Sequence, residues 1–79
     1  MIVISQGRKT IIDTNNFYVE KTYGGKDKKY AIMGIPNNTG SAPLVLGYYS
    51  EEKLAIEEIK KIFEAIERGD KTYIFSVEG

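Results

Sequence analysis

The sequence predicts an α+β fold: an antiparallel-rich sheet of about five to six strands with a single amphipathic helix packed on one face, in the order β-β-β-β-β-α-β. Three observations predict it. The segment Ser50 to Gly69, SEEKLAIEEIKKIFEAIERG, repeats apolar residues at helical spacing, and nothing else in the chain does so over a comparable length. Residues 1–49 break instead into short β-rich runs separated by Gly, Asn, Asp and Pro, and one further β-rich run follows the helix.

Taken in order, Ile2, Val3 and Ile4 form a first run and Thr10 to Ile12 a second, which predicts an opening hairpin that turns at Gly7. Asp13 to Asn16 is a turn, because Asp and Asn side chains bond to nearby backbone. A third strand places Phe17, Val19 and Tyr23 on one side and Tyr18, Glu20 and Thr22 on the other. The charged loop Gly24 to Lys28 leads into a fourth strand, Lys29 to Ile35. The two prolines, paired asparagines and glycine of Pro36 to Pro43 mark a loop. Leu44 to Tyr49 is a fifth strand and Thr72 to Val77 the last.

The helix is expected to start at Ser50 as N-cap, with Glu51 and Glu52 at the positive end of its dipole and Tyr49 stapled to Leu54. Ala55, Ile59, Ile62 and Ile66, widened by Ile56 and Phe63, form the expected buried face. Glu57, Glu58, Lys60, Lys61, Glu64 and Glu67 form the wet one. Glu57 with Lys61 and Glu64 with Arg68 are expected ion pairs, and Gly69 closes the helix in the left-handed conformation.

The chain of 79 residues is read as one domain, 1–79, and has neither cysteine nor histidine. These absences exclude a disulfide framework, zinc sites of the usual type, and Ser-His-Asp or Cys-His nucleophilic machinery. The reading is a protein that is not an enzyme and uses no cofactor or metal. With no signal-peptide core and no apolar run of membrane length, it is expected in the cytoplasm. Lys plus Arg balance Asp plus Glu, but residues 1–49 carry six basic and three acidic side chains against five and eight in residues 50–79. That mild polarity suits an anionic ligand or self-association, and falls short of a sequence-specific nucleic-acid binder.

Gly34 to Ser41 invites comparison with a phosphate loop, which fails: the glycines are one residue too far apart, no lysine follows Gly40, and a strand comes next. The remaining candidates are cationic turns and tyrosines. Arg8, Lys9, Lys26, Lys28 and Lys29 lie in two hairpin turns that are able to hold a phosphate. Tyr18 and Tyr48 offer faces for stacking, and Asn37, Asn38 and Thr39 offer polar groups in the long loop. Against this stand plainer roles: charged turns keep a small sheet soluble, and strands favour aromatics as packing.

The stretches ISQGRKTII, Ile4 to Ile12, and LGYYSEEKLAIEEIKKIFEAIERG, Leu46 to Gly69, with Tyr73 in a closing strand, resemble a group of small proteins of phages and prophages of Gram-positive bacteria. In that group an opening SQ-x-x-K hairpin and an LG-x-Y-x-S/T-E-E helix start recur. The resemblance implies a bacterial host cytoplasm and an accessory protein that acts by binding. One form is an anti-defence sponge sequestering a small anionic, nucleotide-like ligand in an oligomer. The alternative is a protein-interaction module that inhibits a host defence protein. Because several strands carry apolar side chains on both faces, a homo-oligomer through a sheet face or edge is expected, the runner-up being a monomer whose sheet curls around its own core.

Overall fold

The computed structural model describes residues 1–37 and 40–76, and its elements follow in the expected order: β1 (Ile2–Ile4), β2 (Ile11–Asp13), β3 (Phe17–Lys21), β4 (Tyr30–Gly34), β5 (Leu44–Tyr49), α1 (Glu52–Arg68) and β6 (Thr72–Ile74). The strands divide into two sheets, ordered β2-β1-β6 and β3-β4-β5. All pairings are antiparallel except that β6 lies parallel to β1. The helix therefore carries the chain from the second sheet back to the first. Of the expected last strand, Val77 lies outside the described residues.

Two sets of hydrogen bonds join the sheets. At one end the Gln6 N–H donates to the Leu46 carbonyl at 2.7 Å, and the Gln6 side-chain oxygen accepts the Tyr48 N–H at 2.9 Å. At the other, the Asn37 N–H donates to the Asp13 carbonyl at 2.8 Å and the buried Thr14 hydroxyl to the Ile35 carbonyl. The sheets thus wrap around a common core of Val3, Ile32, Leu46, Tyr49, Ala55, Ile62 and Phe75. Gly34 lets their inner faces close: a Cβ there would lie 2.6 Å from Leu46 Cδ1 and 3.1 Å from Ile12 Cδ1. A register shift at Ile32/Met33 makes Leu46 the extra residue of a bulge in β5 and turns it inward, 1% exposed. Val45 and Tyr48, paired with Met33 and Ala31, consequently share the outer face of β3-β4-β5.

Three local expectations are corrected. The helix cap is Glu51, with φ −134° and ψ 146° and no side-chain cap bond, so the helix starts one residue later than the Ser50 cap implied. The β1–β2 connection turns at Gly7 as expected, the Arg8 N–H donating to the Ser5 carbonyl at 3.0 Å, and Arg8 follows in the left-handed region at φ 64°. Its guanidinium Nη1 offsets that strain by donating to the carbonyls of Ser5 at 3.2 Å, Gln6 at 3.1 Å and Phe75 at 2.8 Å. Arg68 pairs with Asp70 at 2.9 Å, beyond the helix end, rather than with Glu64. Tyr23 falls beyond the end of β3 and is 94% exposed.

The helix rotation is the largest departure. Ala55 and Ile62 are buried as expected, but Glu58 and Ala65 complete the buried stripe, whereas Ile56, Phe63 and Ile66 are 41%, 60% and 41% exposed. The buried stripe and its neighbour Ile56, Ile59, Phe63 and Ile66 have the same 3-4-3 spacing, offset by one residue, and the small alanines let the helix lie close on the sheet. Its C-terminus closes as expected: Gly69, at φ 78°, donates to the Ile66 carbonyl and Asp70 to that of Ala65, each at 3.0 Å.

Candidate ligand-binding site

The β1–β2 turn and the β3–β4 hairpin approach Tyr48 from two sides. On the first side Gln6 pairs with the edge of β5, and between the turn and that strand runs a groove of about 230 Å³, walled by Gln6 and Gly7 on one side and Val45 and Tyr48 on the other. On the second side the Lys28 Nζ stands 5.2 Å from the centre of the Tyr48 ring. A lysine at that distance from an aromatic face is held by the ring quadrupole, an interaction worth about 0.5–1 kcal/mol where exposed. The hairpin that presents it is braced by a Thr22 hydroxyl donating to the Lys28 carbonyl and by the Thr22 N–H donating to the Lys29 carbonyl at 2.7 Å.

The same hairpin forms the wall of an open basin of about 510 Å³, lined by Lys21, Thr22, Tyr23, Gly25, Lys29 and Tyr30. Lys21 and Tyr30 are cross-strand partners, so alternation puts them on one face, and residues 21–29 hold four lysines against one aspartate. Lys21, Tyr23 and Tyr30 are absent from the sequence candidates. The pairing of a lysine with a tyrosine across a charged hairpin was the available signal for the first and last.

The ten candidates do not converge on one place. Arg8 and Lys9 sit in the turn beside the groove, although Arg8 is spent partly on backbone carbonyls. Lys28 and Tyr48 touch, and exposed Lys26 and Lys29 belong to the same hairpin. Half-buried Tyr18 lies on the same outer face across β4, paired with Met33. Asn37 is at the opposite end of the sheet, where its side-chain amide donates to Asp13 at 3.2 Å. Asn38 and Thr39 lie outside the described residues.

A second polar cluster was not foreseen. Glu58, expected on the wet face, is 3% exposed; it accepts a hydrogen bond from the Tyr73 hydroxyl and one from the Ser76 N–H at 3.5 Å. Burial, then the bond to Glu58, holds the Tyr73 phenol well above the usual tyrosine range. The spacing Ala55, Glu58, Ile62, Ala65 was the signal, overridden by the ordinary preference of Glu for water. Among the described residues no group of three acidic side chains is placed to hold a metal ion, and no helix is long and apolar enough to cross a membrane. No protein-family model, no curated protein and no solved structure matches the chain.

Proposed function

We propose that this chain is a non-catalytic binding protein of the bacterial cytoplasm that takes a small anionic ligand carrying an aromatic ring, of the nucleotide class, in the groove beside β5. The observation that carries the reading is Lys28 seated on the ring of Tyr48, a residue that also lines an apolar groove. A base stacked on a tyrosine is worth about 1–3 kcal/mol, more than the exposed cation–π contact it displaces, and the freed ammonium then meets the phosphate. Each charge-assisted hydrogen bond adds about 1.5–3 kcal/mol. One stack and two such bonds amount to roughly 6 kcal/mol, which corresponds to a Kd on the order of tens of micromolar. A sponge role of the kind implied by the likeness to small phage proteins rests on that affinity and on abundance of the protein.

Calorimetric titration with adenosine and guanosine mono- and diphosphates, with inorganic phosphate as the control, tests the reading. We expect binding of the nucleotides and not of phosphate alone, weakened about 10–100-fold by Lys28→Ala and by Tyr48→Ala. Equal heats for nucleotides and phosphate, or affinities unchanged by both variants, would contradict it. Chromatography of the same mixtures should show no conversion beyond one equivalent.

A further inference from the structure

We propose that the outward stripe of α1, Ile56, Ile59, Phe63 and Ile66, seats the same stripe of a second copy of this chain in an antiparallel two-fold pair. The helix turns Ala55, Glu58, Ile62 and Ala65 inward and leaves a larger apolar stripe outside: Ile56, Phe63 and Ile66 are 41%, 60% and 41% exposed, with Ile59 half-buried between them. A contiguous exposed apolar stripe of this kind marks an interaction surface. Its 3-4-3 spacing is that of a coiled-coil seam, the pattern by which one helix accepts another.

Shape and charge both point to a second copy. Phe63 stands as a ridge between two hollows. One, of about 150 Å³, is bounded by Asn15, Phe17, Ile59 and Ile66; the other, of about 490 Å³, by Lys60, Glu64 and Glu67. A ridge flanked by a hollow is self-complementary under a two-fold axis, because each Phe63 enters the hollow of the other copy. With Ile59 facing the partner's Phe63, and Ile56 the partner's Ile66, the seam is in register along its whole length. The exposed flank beside it carries Lys53, Lys60 and Glu67 at seven-residue intervals. The antiparallel pairing sets Lys53 against the partner's Glu67 at both ends, whereas a parallel pairing leaves both without an opposite charge, since it faces this flank with the side of the helix that carries Ala55 and Ile62. Lys60 meets the partner's Lys60 at the centre, each with Glu57 and Glu64 one turn away on its own helix.

The stripe lies on the helix and the ligand groove on the far face of β3-β4-β5, so pairing leaves the groove open and the two proposals stand or fall separately. The competing surface is the row Ile11, Ile4 and Ile74 on the outer face of β2-β1-β6, where Ile11 and Ile74 are 66% and 56% exposed. Light scattering coupled to size exclusion, across the micromolar range at low salt, decides between them. The full chain should rise from 8.9 kDa towards twice that mass. Phe63→Glu should hold it at the lower mass with its thermal melt retained, Lys53→Glu should weaken pairing several-fold, and adding Glu67→Lys to Lys53→Glu should restore it. Ile11→Glu should leave pairing unchanged. A mass that stays at one chain, pairing that survives Phe63→Glu, loss of pairing in Ile11→Glu, or no rescue in the charge-swapped double variant would overturn the proposal.

Discussion

A carboxyl group buried between Ala55 and Ile62 is tolerated only where donors replace the water it loses, and Glu58 has two, the Tyr73 hydroxyl and the Ser76 N–H. Removing one of them with Tyr73→Phe should destabilise the fold by about 1–3 kcal/mol in urea denaturation, while Glu58→Gln, which keeps an acceptor, should cost less. The same contact has a pH signature. Because the folded-state pKa of Tyr73 is raised above its ordinary value of 10.0, the folded chain holds that proton longer than the unfolded one. The stability it contributes is fully present below pH 10.0 and is lost as pH rises beyond it. Urea midpoints measured from neutral to alkaline pH should fall more steeply in the parent than in Tyr73→Phe. Arg8 poses a different residue-scale test: its left-handed backbone favours glycine, its guanidinium favours arginine, and Arg8→Ala loses the second without gaining the first. We expect Arg8→Ala to be less stable than Arg8→Gly in the same denaturation assay.

At the scale of elements, Gly69→Ala should cost about 1 kcal/mol, because a side chain at φ 78° is strained whatever space surrounds it. Gly34→Ala should cost about 1–3 kcal/mol for the opposite reason, a methyl group forced against Leu46 and Ile12, and thermal melts of both variants check the pair. The order of strands and helix was legible in the sequence because β-rich runs and turn residues alternate cleanly from Ile2 to Tyr49, and because the helix repeat is unbroken from Glu52 to Arg68. The rotation of that helix was not. Two stripes with identical spacing run along it, and hydrophobicity, which picked out Ala55 and Ile62 correctly, favours Ile59 and Ile66 over Glu58 and Ala65. What decides is the depth at which a helix bearing alanines fits against Ile32 and Tyr49, and that is a tertiary quantity. The division into two sheets was equally out of reach, since it depends on Gln6 reaching across to Leu46 and Tyr48.

At the scale of the molecule, cationic turns and a tyrosine were legible as candidates because turns and strands are local features. Their meeting was not, because it needs the first turn of the chain to lie beside the fifth strand. The wrap of the two sheets brings Gln6 to the Tyr48 N–H, the β3–β4 hairpin sets Lys28 over the Tyr48 ring, and Asn37 is held instead by Asp13. The most direct measurement is a two-dimensional amide NMR titration of the full 15N-labelled chain with adenosine and guanosine monophosphates. The expected result is saturable shifts at Gln6, Gly7, Val45 to Tyr48 and the Thr22 to Lys29 hairpin, with the helix amides unmoved. Shifts confined to other elements, or none at millimolar nucleotide, would contradict the ligand reading.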